Sequence, residues 1–184
     1  MIKRRDSYTI GLDISINGPA IVIIDNKKQI VDFLKLTYLP RSKAYNVKTK
    51  NLEYKEKIAS KNHRPLFFWK KAYDLLEEYL PNSILAIEGY DFNGNGRVFD
   101  IAEFTGYFKL QLLSLGFGIH YIIPPTNIKK SLTGFGHADK VSIEKNLESQ
   151  YGIFFEGDDD LNDALAIALL VHDHKDISKF KQSA

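Results

Sequence analysis

Asp158-Asp159-Asp160-Leu161-Asn162-Asp163-Ala164-Leu165-Ala166-Ile167-Ala168-Leu169-Leu170 reads as a helix that opens on carboxylates and continues as an apolar rod. Asp160 and Asp163 are three apart, so on a helix they share a face about one turn apart. Residues 164–171 have almost no polar side, the pattern of a helix buried nearly all round. Such a helix holds two acids at the mouth of a core. If other acids converge there, a divalent metal is the expected guest. The plainer reading is that acids at a helix start serve as caps or dipole partners, and for Asp158, Asp159 and Asp160 that alone suffices.

Two further acids stand where ligands collect. Asp13 lies in Tyr8-Thr9-Ile10-Gly11-Leu12-Asp13-Ile14-Ser15, an otherwise apolar strand in which an acid is costly unless paired or coordinated. Glu88 ends Ser83-Ile84-Leu85-Ala86-Ile87-Glu88, a strand of the buried parallel type. The carboxyl ends of such strands are where α/β sheets bind ligands. Oxygen-only donors suit Mg²⁺, with Mn²⁺ as substitute. Several carboxylates around two such ions form the clamp for in-line displacement at a phosphodiester.

The remaining pattern places these residues. Residues 8–15, 20–25 and 30–36 read as three strands with short turns, an antiparallel meander. A helix follows from 64 to about 80, opened by Pro65. Then come the strand ending at Glu88, a loop with two glycines, a helix over 99–115 and a strand over 119–123. A short helix to Leu132, the loop Thr133-Gly134-Phe135-Gly136, a helix over 138–151 capped by Gly152 and the acidic helix complete the order. The expected class is α/β: a mixed five-stranded sheet, three antiparallel strands plus two parallel ones, flanked by helices. Residues 40–64 differ in kind. Arg41, Lys43, Lys48, Lys50, Lys55, Lys57, Lys61 and Arg64 face only Glu53 and Glu56. With little apolar periodicity the segment reads as a solvated loop or as a phosphate-binding arm using residues such as Lys48 and Lys50.

Composition bounds the rest. The 184 residues suit one domain, 1–184, with a basic insertion at about 40–64, and 44% hydrophobic residues allow a sizeable core. There is no cysteine, which excludes disulfides, zinc–thiolate sites and Cys nucleophiles. No apolar run is long enough to cross a bilayer, and the basic N-terminus leads into a strand instead of a signal-type apolar region. The expectation is a soluble, intracellular protein. A net charge of +2 does not by itself point to nucleic acid. No Walker-type phosphate loop or nucleophile elbow is present.

Together these residues resemble the RuvC-type Holliday junction resolvases of the RNase H-like (retroviral integrase) superfamily. The resemblance is carried by Gly11-Leu12-Asp13, by Leu85-Ala86-Ile87-Glu88, by Asn127 to Gly136 followed by Ala138-Asp139-Lys140, and by Asp160 to Ala168, in that order. It implies an RNase H-like fold in which Asp13, Glu88, Asp160 and Asp163 hold two Mg²⁺ ions. It further implies that Lys129 and Lys140 contact DNA beside the scissile phosphate, with Lys130 gripping the backbone, and that Lys140 counters charge developing at phosphorus. Tyr90 and Phe92 both fall near the family's base-stacking aromatic. The implied enzyme is a homodimeric, metal-dependent endodeoxyribonuclease that nicks opposing strands of branched DNA, leaving 5′-phosphate and 3′-hydroxyl ends, with the 99–115 helix at or near the dimer interface. The chain departs from the family in having Ser15 where a glycine is common. Rival readings are an RNase H-type nuclease on RNA–DNA hybrids or on other branched or flap substrates, and a non-catalytic nucleic-acid-binding module. An actin-like ATPase shares a Gly-x-Asp strand but needs a second phosphate hairpin and about twice the length.

Overall fold

The computed structural model describes residues 8–58, 60–90, 98–173 and 180–181. Its strands are Tyr8–Asp13 (β1), Ala20–Asp25 (β2), Ile30–Leu39 (β3), Ala44–Thr49 (β4), Glu53–Lys57 (β5), Ser83–Glu88 (β6) and Tyr121–Ile123 (β7). Its helices are Arg64–Leu76 (α1), Val98–Ser114 (α2), Pro125–Thr133 (α3), Lys140–Tyr151 (α4) and Asp159–Asp173 (α5). The strands form one sheet in the order β5-β4-β3-β2-β1-β6-β7. β1 pairs antiparallel with β2 and parallel with β6, and β6 pairs parallel with β7. None of the described helices is long and apolar enough to cross a membrane.

Both faces of the sheet are covered, which explains why its central strands are apolar on both sides. Ile10, Leu12, Ile21, Ile23, Leu34, Leu85 and Ile87 pack against Phe68, Trp69, Leu76, Phe104 and Phe108 of α1 and α2. Ala20, Val22, Ile24 and Ala86 face the opposite way, against Leu161, Ala164, Leu165 and Ala168 of α5 and Ile128, Leu132, Ile143 and Leu147 of α3 and α4. Because side chains alternate along a strand, Gly11 and Asp13 of β1, with Ala86 and Glu88 of β6, belong to the α5 face.

The sheet has seven strands instead of the expected five, and residues 40–64 account for the difference. β4 and β5 form an antiparallel hairpin that extends the meander, with Val47 opposite Leu36 on one side and Tyr54 on the other. Alternation is present but short: Ala44, Tyr45 and Val47 are buried while Asn46, Lys48 and Thr49 are only partly so. β5 exposes Glu53, Lys55 and Lys57, the charged character by which an edge strand resists pairing with other chains. Lys71 of α1 holds it, meeting Glu56 at 2.7 Å and lying over the Tyr54 ring at 5.2 Å. The start of α1 is tied in by Arg64, buried with its guanidinium 3.6 Å from the centre of the Tyr38 ring and donating to Asn17 Oδ1 at 3.1 Å. Arg64 is thus a packing residue, not part of a solvated basic run.

Candidate active site

β1 and β6 are neighbours, and this decides the site. Their register runs Gly11 opposite Ala86 and Leu12 opposite Ile87, so Asp13 and Glu88 follow at the carboxyl ends of adjacent parallel strands. α5 crosses the same face at unusually close range. A Cβ on Gly11 would lie 2.0 Å from the Ala164 carbonyl oxygen and 2.7 Å from the Ala168 nitrogen. The glycine in the strand and the alanines in the helix let the two backbones touch, and that contact delivers the first turn of α5 to Asp13.

The four acids at the start of α5, Asp158, Asp159, Asp160 and Asp163, have separate tasks. Asp158 is the cap: its Oδ1 accepts the Leu161 N–H at 3.3 Å, and its carbonyl accepts the Asn162 N–H at 3.0 Å. Asp159 meets the Lys140 ammonium at 2.7 Å. Asp160 is wedged against the turn after β1, where a Cβ on Gly18 would fall 2.6 Å from its Oδ2. Asp163 lies one turn further in. Buried Asn162, between them, donates to the Phe155 carbonyl and accepts the Phe155 N–H, both at 2.8 Å. It clamps the approach to the helix and so fixes where the acids stand. Ser15 accepts the Gly18 N–H on Oγ at 2.9 Å and closes that turn.

The electrostatics bind these groups into one unit. Asp13 is 8% exposed, and its carboxyl is held well above the ordinary range by burial, then by the charges of Glu88, Asp163 and Asp160, with Lys140 opposing. Burial pushes Asp163 up to about 6, against the pull of Lys140 and Lys129 and with a further push from Asp160 and Asp159. Among the described residues no donor hydrogen-bonds the Asp13 carboxylate. Acids that raise one another's pKa at a half-closed site are the arrangement that a divalent cation relieves. Among the described residues, however, no three acidic or imidazole side chains already converge at ligating separation. In donor type and charge these carboxylates suit a hard divalent ion.

The lysines differ in what holds them. Lys129 on α3 and Lys140 at the start of α4 both project their field onto Asp163, and the Lys140 ammonium is stabilised by Asp159. Lys130 is exposed in the last turn of α3. Lys48 stands 3.7 Å from Asp158, which connects the hairpin to the acidic helix. Lys50 donates to the Ile30 and Val31 carbonyls at 3.1 and 2.8 Å, so its ammonium serves the sheet edge. Tyr90 is half-buried under Lys109, whose ammonium is 5.8 Å from the ring centre. Phe92 lies outside the described residues.

One residue of the site escaped the sequence reading. Lys35 of β3 is 14% exposed and reaches Asp158 at 2.5 Å and Asp160 at 3.0 Å. Burial opposes its charge, but the two carboxylates outweigh burial and raise its pKa. The signal was present: Lys35 shares a strand face with Phe33, which packs against the α5 side. A lysine in line with inward-facing apolar residues needs an acid.

The chain matches no family model. It is 32% identical over 111 residues to the crossover junction endodeoxyribonuclease RuvC of Caldicellulosiruptor saccharolyticus, covering 59% of this chain and 66% of that relative. It is 34% identical to the RuvC of Gloeobacter violaceus over 47% of this chain and 50% of that one. The RuvC of Ehrlichia canis is 29% identical over 67% of this chain and 74% of its own length. In structure, Thermus thermophilus RuvC superposes with a TM-score of 0.58 at 18% identity, over 88% of this chain and 91% of that one. The same protein in complex with a Holliday junction substrate gives 0.59 at 17% identity, over 89% and 91%. In sequence and in fold the chain is thus similar to the RuvC-type resolvases, and it spans 66% and 50% of the length of the first two of these relatives.

Proposed function

We propose that the protein is a structure-selective DNA endonuclease that resolves four-way junctions by paired, metal-dependent phosphodiester hydrolysis, leaving 5′-phosphate and 3′-hydroxyl ends. The observation that carries this is the placement of Asp13 and Glu88 at the carboxyl ends of adjacent parallel strands, with the acidic start of α5 packed on the same face through Gly11. The names of the relatives, crossover junction endodeoxyribonucleases, support the substrate class.

In this reading Asp13, Glu88, Asp160 and Asp163 would hold two Mg²⁺ ions, with Mn²⁺ able to substitute. Divalent ions there would supply a water activated near neutral pH and stabilise the departing 3′ oxygen. Asp13, buried at the end of β1, would bind from the floor of the site. Lys140, drawn to the rim by Asp159, neutralises charge developing on the phosphate. Lys129 and Lys130 hold the backbone on either side. Lys48, Lys50 and the hairpin of the 40–64 insertion extend the basic surface, and Tyr90 or Phe92 would stack on a base near the crossover. The whole chain, 1–184, acts as one nuclease domain. A homodimer supplies the second nick. The outer side of α2 offers its seat, because Phe99, Leu110 and Leu113 of that helix are 81%, 63% and 63% exposed, more apolar surface than one helix ordinarily gives to water.

The test incubates the protein with a four-way junction, a linear duplex and an RNA–DNA hybrid, in Mg²⁺ or in EDTA. Paired nicks confined to the junction and abolished by EDTA are expected. Cleavage of the hybrid alone would replace this reading with an RNase H-type one. Asp13→Asn should stop cutting, by at least about 100-fold in rate, while junction binding persists.

A further inference from the structure

We propose that Phe135 is a second stacking platform for an unpaired nucleobase, distinct from the Tyr90 and Phe92 position. The proposal rests on the junction-cleaving reading above and adds a specificity-bearing contact to it.

Phe135 is 76% exposed, and its exposure is built in. It sits between Gly134, whose φ of +83° excludes ordinary side chains, and Gly136, where a Cβ would come within 3.2 Å of the Thr126 carbonyl oxygen. The first glycine turns the chain out of α3, and the second lets it fold back onto the start of that helix. The Thr133 hydroxyl accepts the Phe135 N–H at 3.1 Å. Its own proton is shared between the Lys129 carbonyl at 2.8 Å and the Phe135 carbonyl at 3.0 Å. The Phe135 carbonyl also takes the Ala138 N–H at 3.3 Å. The backbone is thus clamped on both sides of the ring, and the ring is presented to solvent by a rigid loop. The core beneath, with Ile128 and Leu132, does not take it.

Its surroundings identify the guest. The loop joins Lys129 to Lys140, the two lysines whose charges reach Asp163, so it forms a rim of the carboxylate site. Lys130 and His137 are exposed beside it in sequence. Asp139, the acid of this loop, turns its Oδ1 back to cap α4, accepting the Ser142 N–H at 2.8 Å. A flat apolar ring flanked by cations suits a polyanion that also exposes aromatic faces. Unstacked bases of a nucleic acid have that chemistry, and aromatic stacking on them needs no particular base. A duplex with every base stacked inside would find nothing to place on the ring.

The experiment compares wild type, Phe135→Ala and Phe135→Tyr in EDTA, where no cutting occurs. Binding to a four-way junction is measured with 2-aminopurine stepped through the positions near the crossover. Wild type and Phe135→Tyr should raise the fluorescence of one position, where a base leaves its neighbours. Phe135→Ala should lose that rise and bind about 5- to 100-fold more weakly, while melting close to the wild-type temperature because Phe135 is 76% exposed. Wild-type affinity in Phe135→Ala, or weakened binding with the fluorescence rise intact, would overturn the proposal. If wild type does not bind the junction, the junction reading falls. The same comparison on single-stranded DNA carrying 2-aminopurine then decides the platform by itself: an equal affinity for wild type and Phe135→Ala sinks it, a loss sustains it.

Discussion

Asp163 carries the consequence of crowding acids at one point. Its carboxyl titrates at about 6 in the folded chain, above the ordinary carboxylate range of an unfolded one. The folded state therefore holds the proton more tightly. The stability this group contributes is complete below about pH 4 and is lost as pH rises through about 6. Asp13 acts in the same direction. Without divalent ions, Asp163→Asn should match wild type in melting temperature near pH 4 and exceed it by several degrees at pH 7. The gap corresponds to no more than about 3 kcal/mol. Added Mg²⁺ should reverse the order at pH 7, because the ion binds the carboxylates and not the amide. Thermal melts in EDTA and in Mg²⁺ at both pH values check this, and a variant no more stable than wild type in EDTA at pH 7 would contradict it. Lys35 belongs to the same balance. It pairs with Asp158 and Asp160 from the side and so takes part of the acidic charge away from Asp13 and Asp163.

At the scale of elements, the contact of β1 with α5 sets the geometry. The apolar body of α5 was legible from its composition, and the two acids from their spacing. What the one-dimensional pattern did not show is that Gly11 is there for the helix. Gly11→Ala would drive a methyl into backbone atoms of Ala164 and Ala168, which cannot rotate away. The expected cost is about 3 kcal/mol or more, measured by urea unfolding, with loss of cutting even in the folded fraction as Asp163 is displaced from Asp13. Gly118→Ala is the matched control. A Cβ there meets nothing within 4 Å, so it should be neutral or stabilise by about 0.4–1 kcal/mol. Equal effects of the two substitutions would remove the close-packing argument. The hairpin of β4 and β5 shows the opposite problem in reading. Its buried side rests on Tyr45 and Val47, and its lysines belong to a half-exposed strand and a polar edge. Charge density masked a two-residue period that was too short to stand out.

For the whole molecule, one face of the sheet is sealed by α1 and α2 and the other by α3, α4 and α5, and the carboxylates open at one end of the second layer. α2 seals the first layer with Phe104, Phe108 and Leu112 while sending Phe99, Leu110 and Leu113 outward. If that side seats a second copy, Leu110→Lys combined with Leu113→Lys should yield a monomer in sedimentation experiments. Its melting temperature should stay close to that of the separated wild-type chain, and it should nick a junction in one strand at a time. A dimer that survives both substitutions would place the interface elsewhere. The sequence by itself determined the order of strands and helices outside residues 40–64, the α/β class, the buried character of the last helix and which acids are candidates, because apolar period and residue chemistry are local properties. Only the tertiary structure decided which acids stand at one end of the sheet, that Asp158 caps while the charges of Asp160 and Asp163 bear on Asp13, that Lys35 answers Asp158 and Asp160 from β3, and that residues 40–64 extend the sheet. Those facts depend on which strands are neighbours and how near two backbones can pass, and such distances arise only when residues far apart in the chain pack together.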